Sequence, residues 1–255
     1  MPVITFANTK GGAGKTTVAV VLANELARMG HRVTLLDADP QQWISRWHAL
    51  AKSPKNLTVI SGVTDETIET QVKDSKKRGG YILIDLPGGR TPLLAKAIGL
   101  ANHVFVPVQG CAMDAAGGAQ ILELMKELAD KCAIRIEHSV VLTRISSIIT
   151  TRSMQVVKSL LAERQVRVLE TPLVERAAYR DMFVTGGSLE TMDADRVSNL
   201  DKARENARLF AEEVLTLVPA RKAQTKVVAE KTPTTAKASA TKTAASATKA
   251  MKKAA

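Results

Sequence analysis

Lys10-Gly11-Gly12-Ala13-Gly14-Lys15-Thr16-Thr17 is the stretch whose reading decides the fold. Before it stands an apolar run, Val3-Ile4-Thr5-Phe6-Ala7, suited to a buried parallel strand. After it, Val18-Ala19-Val20-Val21-Leu22-Ala23, with Leu26 and Met29, continues as a helix. A glycine-rich turn between a strand and a helix is the setting in which such a loop grips phosphate. Gly11, Gly12 and Gly14 permit a tight bend with the N–H groups turned inward, and the positive end of the following helix strengthens that anion cradle. Ala13 and Thr17 complete the binding stretch. Lys15 brings a point charge to β- and γ-phosphates, and the hydroxyl of Thr16 is placed to ligate Mg²⁺.

Outward from the loop, residues 32–36 read as a second buried strand that closes on Asp37-Ala38-Asp39-Pro40. Pro40 suits the first turn of a helix carrying Trp43 and Trp47, four apart on one face. Further strands are expected over 57–60, 81–85, 103–108, 139–143 and 166–169, and helices over 64–78, 92–100, 115–129, 153–163 and 198–217. This alternation predicts an α/β fold, a mostly parallel twisted sheet with helices on both faces. Short connections leave no boundary before Pro219, so residues 1–219 are expected to form one domain. Ligands in such sheets sit at the carboxyl ends of the strands. Thr9, Asp37, Asp39 and Asp85 all fall at strand ends and can converge on one rim. Asp85, closing an apolar strand, stands where an acid holds Mg²⁺ through water. Asp37 and Asp39 alternate along their strand, so both face the rim only if the strand has begun to turn.

The composition supports a core that is aliphatic: 45% of the 255 residues are hydrophobic and only 3% aromatic. The two cysteines, Cys111 and Cys132, are far apart and form no metal-spaced pair, as expected of reduced thiols in a cytoplasmic protein. The N-terminus opens on a strand rather than a secretory leader, and no apolar run approaches the roughly 18 residues that would span a bilayer. The net charge of +11 is unevenly placed. Residues 220–255 hold nine Lys/Arg, among them Arg221 and Lys222, against the single acid Glu230, a balance of +8 that leaves +3 for the rest. This stretch is almost only Ala, Lys, Thr and Ser beyond Thr232, so a disordered basic tail is expected there, able to bind phosphate backbones by releasing counterions.

The loop departs from the common G-x-x-x-x-G-K-[ST] pattern, which asks for glycine where Thr9 stands; a second lysine, Lys10, opens it instead. The form K-G-G-x-G-K-T-T resembles the deviant Walker loop of the ParA/MinD ATPases. D-A-D-P-Q at residues 37–41, I-D-L-P at 84–87 and V-P-V at 106–108 follow in the order and spacing of that family. The resemblance covers residues 2–218 and is to the short, ParF-like group of ParA proteins. It implies a P-loop ATPase that binds ATP and Mg²⁺ and closes as a sandwich dimer, with Lys10 of each copy reaching the nucleotide of the other. It implies catalytic roles for Lys10, Lys15 and Asp39, the last placing the attacking water, and a magnesium shell involving Thr16, Asp39 and Asp85. The closed dimer of the family binds DNA nonspecifically, and hydrolysis is stimulated by a ParB- or ParG-like centromere binder.

The expected function is therefore segregation of plasmid or chromosomal DNA by a cytoplasmic, nucleoid-associated ATPase. The same chemistry could instead position another cargo, such as a chemosensory cluster, a microcompartment or a DNA-transfer complex. An iron–sulfur carrier would need a second cysteine near Asp85, where Leu86-Pro87-Gly88 stands, and an architectural DNA-binding protein would not need Lys15, Thr16 and Asp85 together. Candidate DNA contacts are Arg176, Arg180, Lys202, Arg204 and Arg208 near the C-terminal helices, joined by Arg221 and Lys222. Leu209, Phe210, Val214 and Leu217 on the closing helix read as core packing rather than as a membrane-surface stripe.

Overall fold

Alternation of apolar runs with helical stripes produces seven strands in one sheet. The computed structural model describes residues 1–50, 53–110, 112–146 and 152–220. β1 (Val3–Phe6) leads through the loop into α1 (Lys15–Arg28), followed by β2 (Val33–Asp37), α2 (Trp43–Leu50), β3 (Leu57–Ile60) and α3 (Ile68–Arg78). β4 (Tyr81–Asp85), α4 (Pro92–Leu100), β5 (His103–Gln109) and α5 (Ala112–Cys132) come next. β6 (Glu137–Ile145), α6 (Arg152–Glu163), β7 (Leu173–Val174), α7 (Ala177–Thr185) and α8 (Leu200–Leu217) complete the order. The strands lie in the order β3-β2-β4-β1-β5-β6-β7, and every pairing is parallel. Parallel strands point their carboxyl ends the same way, so the loops after β1, β2 and β4 share one rim. Register makes this concrete: Phe6 pairs with Asp85, and Asp37 pairs with the same Asp85 from the other side.

Strand alternation divides the core into two. Ile4 and Phe6 on β1, Leu35 on β2 and Leu83 on β4 face α1, α2, α7 and α8, where Val18, Leu22, Trp47, Met182 and Phe210 are buried. Val3, Leu36, Ile82 and Ile84 face the other way, onto Ile68, Leu94, Ile98 and Ile121 of α3, α4 and α5. Both faces of the central strands are therefore dry, which explains why their sequences read as unbroken apolar runs rather than as alternating ones. Phe210 and Val214 of α8 are fully buried, as the packing reading of that helix expects, whereas Leu209 is 41% exposed.

Several local features differ from the sequence expectation, among them α7, which no expected helix covered. The stretch 166–169 contributes only an isolated bridge, Val168 to Val140, and the seventh strand proper lies later, at Leu173–Val174. A two-residue strand carries too short an apolar run to stand out beside the Val-Arg-Val alternation that precedes it. Helix α2 begins at Trp43, not at Pro40, because Asp39 holds the Gln41 N–H with its own Oδ1 at 2.8 Å and Gln42 takes a left-handed φ of 51°. Trp43 and Trp47 consequently part company. Trp47 is 1% exposed and donates its indole N–H to Gly187 O at 2.8 Å, while Trp43, in the first turn, is 48% exposed under the guanidinium of Arg46. Cys132 is a free, exposed thiol; Cys111 and the expected tail lie outside the described residues.

Candidate phosphate-binding site

A side chain can cover the first N–H groups of a helix, as Thr91 does for Leu94 in α4, although α3, α7 and α8 start without such a cap. Helix α1 also lacks one. Its N-cap is Gly14, in the left-handed conformation at φ 98°, with no side-chain cap and no acid in the first turn. Its leading amides, which follow a glycine-rich turn, lie where the helix dipole favours an anion. Gly12 is also left-handed, at φ 79°, so the loop bends at two positions that side-chain-bearing residues adopt with strain.

The loop is gripped from outside. Asn8, buried at the end of β1, donates from Nδ2 to Pro107 O at 2.7 Å and accepts the Lys10 N–H on Oδ1 at 2.8 Å. Thr9 Oγ1 donates to Gln120 Oε1 at 2.7 Å, and Gly89 N donates to Thr9 O at 2.6 Å. Gly117 of α5 lies so close that a Cβ there would stand 2.3 Å from Asn8 Oδ1 and 3.0 Å from Lys10 Cβ. Gln109 Nε2 donates to Gly12 O at 2.5 Å and Thr143 Oγ1 to Ala13 O at 2.9 Å. Sequence reasoning missed Asn8, Gln109, Gly117 and Thr143: they sit far from the loop in the chain, and no local pattern marks them.

Lys15 is 6% exposed and its Nζ donates to Lys10 O at 3.2 Å. Burial pulls its pKa down, against the attraction of Asp85 and Asp39. Thr16 Oγ1 donates to Asp85 Oδ2 at 2.8 Å. Asp85 is pushed up to about 7, first by burial and further by Asp37 and Asp39, while the Thr16 hydroxyl and Lys15 oppose the rise. Its Oδ1 is buried with no hydrogen-bond partner among the described residues. An unpaired carboxylate oxygen beside a hydroxyl, under a cradle for phosphate, suits Mg²⁺, which takes one or two protein oxygens and completes its shell with water and phosphate. Among the described residues no cluster of three His, Cys, Asp or Glu competes as a metal cage.

The two acids of D-A-D-P-Q separate. Asp37 is fully buried; its Oδ2 accepts the Ser45 N–H at 2.9 Å and the Ser45 hydroxyl, so it caps α2 from below. Asp39, half-buried, lines the cleft with Lys15, Thr16, Thr17, Gly88 and Arg144, a space of about 510 Å³. The turn at Asp39-Gln42 is what sends one acid under a helix and the other to the rim. Next to this cleft, on the far side of Gly14 and Thr17, a second cavity of about 250 Å³ is lined by Thr143, Arg144, Arg176, Tyr179 and Phe183.

The basic candidates within the described residues lie around α7 and α8, which pack together. Arg176 and Arg180 border that second cavity, Arg180 paired with Glu175 at 3.0 Å. Lys202, Arg204 and Arg208 are on α8, which packs against α1; Arg204 binds the carbonyl of Leu189 and the carboxylate of Asp201, and Arg208 pairs with Glu212 at 2.7 Å. Arg221 and Lys222 lie outside the described residues.

The VirC1 protein family matches residues 1–228, and a Rhizobium radiobacter protein described as ParA is 39% identical over 211 residues, spanning 83% of this chain and 95% of its own. The chain belongs to the ParA/MinD family, in its VirC1 and ParA branch. The family's fold is reproduced here. The MinC:MinD cell division complex of Aquifex aeolicus aligns with a TM-score of 0.68 at 17% identity, over 85% of this chain and 96% of the other. A variant of McdA from Cyanothece, in complex with ATP, aligns at 0.63 and 17% identity over 84% and 96%. Solved structures of this fold include that McdA variant with ATP and a Mycobacterium smegmatis cobyrinic acid a,c-diamide synthase with an ATP analogue and magnesium, the latter aligning at a TM-score of 0.60 and 17% identity over 84% of this chain and 94% of its own.

Proposed function

We propose that the protein hydrolyses ATP as a dimerising switch that binds DNA nonspecifically and segregates plasmid or chromosomal DNA. The observation that carries this reading is the junction of three things: an amide cradle at an uncapped helix, the buried Lys15 behind it, and the Thr16–Asp85 pair beneath it. Together they provide for a polyphosphate and its cation and for little else.

ATP lies with its phosphates over Gly11–Thr17 and its base toward the cavity beside Thr143 and Tyr179. Thr16 and Asp85, with Asp39 nearby, would hold Mg²⁺, which when bound would supply positive charge to the phosphate oxygens. Water attacks the γ-phosphate in line, Asp39 orients that water, and Lys15 and the loop amides meet the charge that develops on the phosphoryl oxygens. Lys10 of a second copy contributes a further cation, so turnover requires the dimer. ATP favours the dimer only to the extent that it binds that state more tightly. Residues 1–219 form the ATPase domain, residues 220–255 are a basic tail that strengthens DNA binding, and a ParB- or ParG-like partner stimulates hydrolysis. The protein acts in the cytoplasm at the nucleoid; among the described residues no helix is long and apolar enough to cross a membrane.

The test is ATP turnover with and without DNA, comparing the wild type with Lys15→Ala and with a chain lacking residues 220–255. Lys15→Ala is expected to lose ATP binding and turnover. The shortened chain is expected to keep basal turnover while its DNA affinity falls and becomes less dependent on salt. Tight ATP binding by Lys15→Ala would overturn the site assignment, and an unchanged salt slope would leave the tail without a role.

A further inference from the structure

Two side chains from outside the loop hold its backbone by the carbonyls. Gln109 Nε2 reaches Gly12 O at 2.5 Å, and Thr143 Oγ1 reaches Ala13 O at 2.9 Å. The two donors stand directly opposite each other in the β5–β6 register. In a trans peptide the C=O and the following N–H point in opposite directions within one plane. Holding the Gly12 carbonyl therefore aims the Ala13 N–H, and holding the Ala13 carbonyl aims the Gly14 N–H, each away from its donor. The loop has few other means of fixing these peptides. Gly12 and Gly14 lack side chains and sit at φ 79° and 98°, where glycine turns freely. A peptide that turned over would offer a carbonyl oxygen to phosphate where the nest needs an N–H. Thr143 comes close enough that a Cβ on Gly14 would stand 3.3 Å from its hydroxyl.

We propose that Gln109 and Thr143 are positioning residues that preset the Ala13 and Gly14 amides for phosphate before nucleotide arrives. This rests on the nucleotide reading of the loop and adds a cause for its readiness: the ends of β5 and β6 act as a template for the cradle. The template acts on the loop amides, so its loss weakens pyrophosphate as well as ATP; Thr143 also borders the cavity proposed for the base, and Gln109 does not, which makes pyrophosphate and the Gln109 variant the arms free of base contacts.

The experiment measures ATP and inorganic pyrophosphate binding to the full chain by calorimetry. It follows the backbone amide resonances of Ala13 and Gly14, and it records melting temperatures. Thr143→Val and Gln109→Met each remove one donor at similar volume and are expected to weaken both ligands about 5-fold. Thr143→Ser, which keeps the hydroxyl, is expected to stay near wild type. In Thr143→Val the pyrophosphate-induced shift of the Gly14 amide is expected to shrink while the melting temperature holds. Unchanged pyrophosphate affinity in both donor-deleted variants would overturn the proposal. So would a loss that tracks a fall in melting temperature while the two amide shifts persist. Failure of the wild type to bind either ligand would instead overturn the nucleotide reading itself.

Discussion

Thr16 donates its hydroxyl to Asp85 at 2.8 Å, joining the start of α1 to the end of β4 across 69 positions of sequence. The bond uses the hydroxyl's proton and Asp85 Oδ2, leaving the hydroxyl's lone pairs and the unpaired Oδ1 for a cation. Thr16 would thus ligate Mg²⁺ while still donating to Asp85. Thr16→Ala is therefore expected to lower ATP affinity about 10- to 100-fold in magnesium, by analogy with the loss of groups that support a metal. The effect in EDTA should be small. Titrations in the two conditions decide this, and an equal loss in both would place Thr16 outside the metal's shell.

The raised pKa of Asp85, near 7 against an ordinary 3.8, gives the same pair a pH signature. A carboxyl that holds its proton more tightly when folded takes up a proton on folding between those two values. Stability of the nucleotide-free protein from this group is thus greatest near pH 4 and declines as pH rises toward 7. Mg²⁺ requires the ionised form, so loading of magnesium and ATP is expected to release a proton below pH 7 and to strengthen as pH rises to that point. Calorimetry in buffers of differing ionisation heat counts the proton. Asp85→Asn should remove both the proton release and the slope of stability with pH.

Lys10 tests the second-copy contact separately from phosphate binding. Lys10→Ala leaves the backbone bonds of residue 10 to Asn8 and Lys15 available. ATP affinity of the monomer is expected to stay within about 3-fold, while ATP-dependent dimerisation and turnover fall at least about 10-fold. Analytical ultracentrifugation with a slowly hydrolysed ATP analogue checks it, and normal dimerisation would remove the cross-subunit role.

The two tryptophans provide a control for folding. Trp47→Ala empties a buried site and strips Gly187 O of its donor, a loss expected at about 3–5 kcal/mol. Trp43→Ala, on the exposed first turn, is expected to cost less than about 1 kcal/mol. Denaturant melts of the two variants should separate clearly; equal losses would contradict the placement of α2.

What could be read without coordinates was what lies close together in the chain. Gly11 to Thr17 carry their chemistry side by side, and the buried strands announce themselves because both faces of the sheet are covered. Asp85's place at the rim was legible because it ends an apolar run, and the structure sets it beside Thr16. Asp37 was not legible, since its role as a cap on α2 depends on Ser45 reaching back to it. Gln109 and Thr143 were silent for a related reason: their function is a distance to a carbonyl, set by strand register and absent from any local pattern. The short β7 was misplaced because two residues of ladder leave almost no periodicity.

Gly117 sets how closely α5 can approach the start of the loop. The helix backbone there lies against the Asn8 amide oxygen and the Lys10 Cβ, leaving no room for a side chain at 117. Even the methyl of an alanine at 117 would therefore have to push aside the residue that opens the cradle or the asparagine that grips it.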